Sequence, residues 1–394
     1  TLSSSSAASD VYKRQGMQIL TATIALVFDV SYYTSLTWFI PLISGLAIPI
    51  LFIIGKELAG FTPALFGSAF YGVTFGVVYA NSHPMPGGLA ETLGFVLILN
   101  WIKILKDDTI WVINPLKRNP WGNMAEFSFF ALLLTHHFTL LLLMAAILGI
   151  LIVEIAAGNK KIGTEGIMVV GLMSLPISIY WLIYAKSFRK MLDDSAFDFL
   201  PENIPTTLVL TLIPFVSLTI LWLIKDKLNL PNFSENISHN NYLKRTVASF
   251  VGVFILIMLV LWKGVPGTDI PVDFEATPYL GVNLAIMSLA CVPSFVMSKK
   301  NSWILWGWLL PILGLATIGA VTGSHLLIAY RHAPYLLAPV ALMIGISFQY
   351  FIIGFETKKR KYVTAVFTIL LLGCAWGAYP VSYTHLTLPT KRIV

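Results

Sequence analysis

Residues 38–91 read WFIPLISGLAIPILFIIGKELAGFTPALFGSAFYGVTFGVVYANSHPMPGGLAE. Two apolar helices are predicted here, over about 38–54 and 63–79, because each run approaches the roughly 20 apolar residues that cross a bilayer. The charged segment 55–60 joins them on one side, and the polar, Pro- and Gly-rich loop 81–91 follows on the other. This alternation predicts polar chemistry concentrated at one face of a membrane.

The composition of the whole chain supports a membrane protein. Charged residues make up 11% and hydrophobic residues 57% of the 394 residues, whereas a soluble domain has about 25% charged residues. Repeated apolar runs near the length of a bilayer then predict an all-α, polytopic helical membrane protein with about 12 membrane-crossing helices. Two crossings are predicted within 124–157, and the others over 36–55, 63–80, 88–105, 166–185, 206–224, 246–262, 279–297, 303–320, 333–354 and 362–379. The run 17–28 is shorter, which predicts an interfacial helix.

The two ends of the chain differ from this pattern. Residues 1–15 are polar and rich in Ser and Ala, and residues 381–394 are equally out of character. Both ends resemble translated adapter sequence on open reading frames from assembled environmental DNA. We therefore expect 16–380 to be an internal fragment of a longer protein. The two tails also contribute part of the formal net charge of +7, so this charge does not indicate a nucleic-acid partner.

The run 124–157 is too long for one upright crossing, because a helix of that length extends about 50 Å. Two crossings that turn at His136 and His137 put most of the Lys and Arg residues in inner loops, as cytoplasmic loops prefer. One crossing spreads these residues over both sides. The two-crossing topology predicts that the polar loop 81–91, the His136–His137 turn and Arg331 share the outer face.

Several short stretches resemble one enzyme family. Segments 41–49 (PLISGLAIP), 55–60 (GKELAG) and 69–91 look like the early helices of GT-C membrane glycosyltransferases. This group contains the protein O-mannosyltransferases, the lipid A aminoarabinose transferases and the catalytic subunit of oligosaccharyltransferase. The segment 134–139 (LTHHFT) is similar to a motif of archaeal and bacterial members, and Tyr330-Arg331 before Pro334 and Pro339 resembles their late helix. The resemblance covers most of residues 17–355 in layout.

The resemblance implies a membrane glycosyltransferase of the inverting GT-C type. Such an enzyme transfers a hexose or pentose from a polyprenyl-phosphate-linked donor to a lipid or protein acceptor, at the outer face of the cytoplasmic membrane. The sequence does not specify the sugar or the acceptor. The family carries its principal catalytic Asp in a first outer loop, which we expect upstream of residue 17. We therefore expect the chain as given to be inactive alone.

Glycosyl transfer needs a carboxylate to activate the acceptor and a cation to hold the leaving phosphate. The resemblance assigns phosphate binding to Arg331, whose planar guanidinium suits that role; a snorkelling interfacial Arg is the alternative. It assigns a supporting acid, base or metal role to Glu91 and His83. For Glu91, favourable pairing with the positive end of a helix is equally consistent with the sequence.

The remaining candidate residues are predicted to bind substrate. Intramembrane His is by default a functional hypothesis, which makes His136 and His137 candidates; a turn that caps a broken helix is the alternative. Lys186 and Arg189 could attract a pyrophosphate, or contact the lipid surface. A divalent metal, Mg²⁺ or Mn²⁺, is left open as a cofactor because no His, Asp and Glu set has the spacing of metal ligands.

Two other classes of protein fit parts of the pattern. A secondary transporter would also have many helices and broken spans, but it would place ionisable residues near the bilayer midplane, often in two related halves. Here the midplanes are nearly free of charge and no two halves look alike. A lipid-linked polysaccharide ligase or polymerase would share the outer-face site and the polyprenyl donor, and it stays open as an alternative.

Overall fold

The computed structural model describes residues 15–74, 77–78, 86–106, 119–158, 160–185, 190, 206–228, 251, 299–322, 329–354, 360–362, 364–369 and 371–372. Its main helices are α1 (Gln15–Phe28), α2 (Tyr32–Ala59), α3 (Phe61–Val73), α4 (Pro86–Lys106), α5 (Pro120–Thr135), α6 (His137–Ala156), α7 (Lys160–Ile179, extended by the π-helical turn Tyr180–Tyr184), α8 (Thr206–Ile224), α9 (Lys299–Thr322) and α10 (Ala329–Gly354). No strand occurs within these ranges.

The helices confirm an all-α, polytopic membrane protein. Five described segments are long and apolar enough to cross a membrane: Tyr32–Ala59, Gly87–Lys106, His137–Ala156, Thr164–Tyr184 and Thr207–Ile224. The total of about 12 crossings stays a prediction, because the predicted spans 246–262 and 279–297 lie outside the described residues, apart from Val251. The predicted tails also lie outside them, apart from Gln15.

The first two spans differ from the predicted bounds. Helix α2 continues to Ala59, so the predicted loop 55–60 is wrong; the chain turns only at Gly60, whose φ of 92° suits a residue without a side chain. The break at Leu46 in α2 precedes Pro49, which has no N–H to bond the carbonyl of residue 45. Helix α3 ends at Val73 rather than near residue 79, because Thr74 adopts an extended conformation.

Two groups of contacts mark the two ends of α4. Near its last turn, Lys103 Nζ lies 2.5 Å from Glu57 Oε1, and Lys106 Nζ lies 3.3 Å from Glu57 Oε2. We call this the basic end. Near the first turns of α4, Glu91 accepts a hydrogen bond from the Tyr71 hydroxyl at the end of α3. We call this the network end; about 18 Å separates Glu91 from Lys103 along the helix.

The chain reverses at His136, as the two-crossing prediction requires. Helix α5 begins at the basic end, where Lys103 Nζ lies 5.5 Å from the centroid of the Trp121 ring. Helix α6 then returns towards that end, because its Gly149 packs against Gly307 of α9. The first turn of α9 is fixed at the basic end by Asn301, whose side chain donates to the carbonyl of Leu58 at 2.6 Å.

Small residues allow the helices to approach closely. A Cβ added at Gly345 of α10 would lie 2.0 Å from the carbonyl oxygen of Pro63, and one at Gly67 of α3 would lie 2.7 Å from that of Ala341. Backbone contact through small residues is a common way for membrane helices to associate. These contacts make α3 and α10 antiparallel, so Tyr71 and Tyr335 both lie at the network end.

Candidate functional site

The network end contains buried polar side chains from α3 and α4. The Tyr71 hydroxyl donates to Glu91 Oε1, and only 1% of Glu91 is exposed. The next residue, Thr92, directs its hydroxyl to the carbonyls of Ile43 and Ser44 at 3.2 and 3.1 Å. These bonds fix the first turns of α4 against both α2 and α3.

A second set of hydrogen bonds joins α10 to the start of α6. The Tyr335 hydroxyl lies 2.5 Å from Thr139 Oγ1, and Thr139 Oγ1 lies 2.7 Å from His136 Nδ1. Four helices, α3, α4, α6 and α10, therefore contribute two sets of buried polar side chains to the network end, which we together call the hydroxyl network: Tyr71, Glu91, Thr139, Tyr335 and His136.

His136 forms the break between α5 and α6. Its backbone has φ −157° and ψ 84°, and its Nδ1 accepts the backbone N–H of Thr139 at 3.2 Å. A side-chain acceptor at this position satisfies a backbone donor that the first turn of a helix leaves unpaired. The cap predicted as the alternative for His136 is therefore present. Substrate binding by this residue stays a prediction.

The two adjacent histidines contact different neighbours. The His136 ring lies against Phe138, with centroids 6.3 Å apart, whereas the His137 ring lies 5.9 Å from that of Tyr180 in the π-helical turn after α7. His137 thus links the start of α6 to the end of α7.

The dipole explanation for Glu91 does not fit the structure. Helix α4 begins at Pro86, so Glu91 lies beyond the first turn, and the effect of the helix dipole on a side chain falls off within that turn. The Tyr71 hydroxyl is instead the group that stabilises the Glu91 carboxyl. A catalytic role for Glu91 stays a prediction.

The other predicted site residues are only partly described. Arg331 belongs to α10, four residues before Tyr335, and its side chain is outside the described part of the chain. His83, Lys186 and Arg189 also lie outside it. From the predicted set, the structure therefore describes the side chains of Glu91, His136 and His137, all near the network end.

Sequence reasoning missed Tyr71, Thr139 and Tyr335. A signal for the two tyrosines was available, because a Tyr within an apolar span usually finds a hydrogen-bond partner. Tyr335 also follows Arg331 by one helical turn. Thr139 had no such signal, since Thr in a membrane helix commonly bonds to its own backbone, as Thr74 does to the carbonyl of Phe70 at 2.8 Å.

The described residues do not form a metal site. No group of three or more His, Cys, Asp or Glu among them lies close enough to hold an ion. Within the hydroxyl network, His136 and Glu91 are the only two residues of these types. A divalent cation therefore stays a prediction for this protein.

Comparisons with known proteins identify the fold. No protein-family model matches the sequence, and no curated protein matches it either. The structure resembles archaeal oligosaccharyltransferase AglB from Archaeoglobus fulgidus, solved in complex with an inhibitory peptide and a dolichol-phosphate, with 13% identity and a TM-score of 0.53 over 95% of this chain and 48% of that one. The apo oligosaccharyltransferase from the same organism gives 12% identity and a TM-score of 0.54 over 94% of this chain and 47% of that one.

A third structure, the Archaeoglobus fulgidus oligosaccharyltransferase in complex with Zn and sulfate, matches with 12% identity and a TM-score of 0.54 over 94% of this chain and 44% of that one. The chain thus spans about half the length of the solved structures that it resembles. At these identities the comparison establishes the fold alone. The predicted resemblance is confirmed at that level: the fold of this chain is similar to that of the archaeal oligosaccharyltransferase.

Proposed function

We propose that the chain acts in a membrane glycosyltransferase of the inverting GT-C type. It would transfer a sugar from a polyprenyl-phosphate-linked donor to a lipid or protein acceptor. The observation that carries this proposal is the buried hydroxyl network at one end of the bundle, in a chain with the fold of oligosaccharyltransferases. The AglB structure contains a dolichol-phosphate and an inhibitory peptide, which supports the same classes of donor and acceptor here.

The proposed site faces outward across the cytoplasmic membrane. Lys103 and Lys106 meet Glu57 at the basic end of α4, and clustered Lys and Arg residues favour the cytoplasmic side. The network end of α4 then faces the opposite compartment. Polyprenyl-linked donors presented at that face would reach the start of α6 and of α10.

Three segments with predicted site residues start or end at the network end. Arg331 precedes Tyr335 by four residues in α10, and residues four apart lie on one face of a helix. The segment that carries His83 joins α3 to α4. The segment with Lys186 and Arg189 follows Tyr184, one turn after Tyr180, which contacts His137. In the proposal, Arg331 holds the leaving phosphate and the other cations attract the anionic donor.

Glu91 and His83 keep the supporting acid or base role in this proposal, and His136 and His137 help to bind the donor. Glu91 is buried behind the Tyr71 hydroxyl, so its influence on a substrate would pass through the network. The Zn and sulfate bound to the archaeal relative support testing Mg²⁺ and Mn²⁺ in the assay. The fold comparison favours a transferase over the secondary transporter.

Transfer from a polyprenyl-phosphate donor tests the proposal. The chain is expressed within its native reading frame, and membranes that contain it are isolated. These membranes receive a radiolabelled polyprenyl-phosphate sugar, and the transfer of label into lipid and protein fractions is measured. Arg331→Ala should abolish transfer while the amount of protein in the membrane is unchanged. Arg360→Ala is the control, because Arg360 is exposed and lies after α10; it should transfer normally.

Two results would contradict the proposal. Wild-type transfer by Arg331→Ala would remove Arg331 from the phosphate site. The second result is a wild-type protein that transfers no label from any polyprenyl-linked sugar but carries a solute into proteoliposomes. That protein would be a transporter, not a glycosyltransferase.

A further inference from the structure

The hydrogen bonds around Thr139 have one consistent assignment of protons. The backbone N–H of Thr139 donates to His136 Nδ1 at 3.2 Å, and an N–H can only donate. Nδ1 is therefore an acceptor, which leaves the ring proton on Nε2 in the neutral imidazole. The Thr139 hydroxyl, 2.7 Å from the same Nδ1, must then donate to it as well.

The same reasoning extends to Tyr335. Once the proton of the Thr139 hydroxyl points to His136, Thr139 Oγ1 is left as an acceptor for the Tyr335 hydroxyl, 2.5 Å away. The chain of donation runs from Tyr335 through Thr139 to His136. Thr139 is completely buried and Tyr335 is 5% exposed, so water does not compete easily for these hydroxyls.

We infer that Tyr335 and Thr139 are positioning residues that hold His136 as the neutral imidazole with its proton on Nε2. The position of His136 agrees with a neutral ring, because the N-terminus of a helix disfavours a positive charge. The chain of hydroxyls also couples the first turns of α10 to the break at His136. The inference concerns the site of the proposed glycosyltransferase, but the state of His136 does not depend on that activity.

This coupling explains how the start of α10 could influence a lipid-linked sugar donor that binds at His136. Tyr335 lies one turn after Arg331 on α10, whereas Thr139 and His136 belong to the start of α6. A hydroxyl chain between the two helices fixes their relative position and the direction of the Nε2–H.

Nitrogen NMR of the histidine rings tests the inference on the chain itself. The protein is labelled with ¹⁵N-histidine and reconstituted in lipid, and the signal of His136 among the seven histidines is identified by its loss in His136→Asn. Asn is a good N-cap residue and should preserve the start of α6. We expect one His136 ring nitrogen to resonate as an unprotonated acceptor and the other as N–H, with Nδ1 the acceptor.

Variants of Thr139 and Tyr335 separate positioning from packing. Thr139→Val removes the hydroxyl with little change in shape, and Tyr335→Phe removes only the phenolic oxygen. Each should shift the tautomer ratio of His136 towards Nδ1–H by about three- to tenfold, the value of one net hydrogen bond. Thr139→Ser retains the hydroxyl and should give the wild-type ratio. Thermal unfolding of each variant confirms that the fold is retained.

The outcomes are distinct from those of the transfer assay. A wild-type His136 that is imidazolium or Nδ1–H, or a ratio that is the same in Thr139→Val, Tyr335→Phe and wild type, would overturn the inference. If wild type transfers sugar, Tyr335→Phe and Thr139→Val should each lower kcat by about tenfold at unchanged KM for the donor, whereas Thr139→Ser should keep the wild-type kcat. No transfer by the protein expressed within its native reading frame, together with the expected tautomer, refutes the proposed function and leaves the positioning of His136 standing.

Discussion

The contact between α6 and α9 has no space for a side chain. A Cβ added at Gly149 would lie 2.0 Å from the carbonyl oxygen of Gly307 and 2.6 Å from a ring carbon of Pro311. Gly149→Ala must therefore push the helices apart by about 1 Å, and overpacking of this kind costs about 1–3 kcal/mol. We expect the free energy of unfolding to fall by that amount.

The matched control is Gly314→Ala in the same partner helix, where an added Cβ meets nothing within 4 Å. Ala stabilises a helix interior by about 0.5–1 kcal/mol relative to Gly, so this variant should be slightly more stable than wild type. Unfolding is followed by tryptophan fluorescence during a denaturant titration in mixed micelles. Equal stability of Gly149→Ala and Gly314→Ala would refute the close approach of α6 and α9.

Two further predictions concern the polar contacts at the ends of α4. Tyr71→Phe should lower the free energy of unfolding by about 1–3 kcal/mol, because the buried Glu91 carboxyl loses its hydroxyl donor; the same titration measures it. The loss should shrink in a Glu91→Leu background, and an undiminished loss would contradict the pairing. Glu57→Gln should cost about 0.5–1 kcal/mol, since the ion pairs with Lys103 and Lys106 are partly exposed. That cost should decrease at high salt; a salt-independent difference would argue against an electrostatic origin.

The sequence predicted the existence and type of the helices better than their limits. Apolar runs of about 20 residues specified the membrane spans, and the excess of Lys and Arg on one side specified the turn at His136, where the structure indeed ends α5 and begins α6. The polar segment 55–60 predicted a loop, yet Lys56 and Glu57 remain helical. The ion pairs of Glu57 with α4 satisfy its charge within the last turn of α2, and such long-range pairs cannot be read from local sequence.

Part of the candidate site was accessible from the sequence for a simple reason. A carboxyl or imidazole in an apolar stretch is costly, so Glu91 and His136 stood out. The hydroxyl residues Tyr71, Thr139 and Tyr335 did not stand out. A hydroxyl in a membrane helix can form a hydrogen bond with the backbone of its own helix, and any partner on another helix depends on how the helices pack. The roles of Arg331, His83, Lys186 and Arg189 stay predictions, as does the outward orientation of the site.

The sequence alone determined that this protein is a helical membrane protein, because hydropathy and the loss of water inside a bilayer leave few other options. It also predicted the reversal of the chain at His136, whereas the turn at Gly60 came from the structure. Only the tertiary structure decided which polar groups meet. Residues 71, 91, 139 and 335 are far apart in sequence, and the close packing of α3 on α10 and of α6 on α9, through glycines that carry no side chain, brings them to the same end of the bundle.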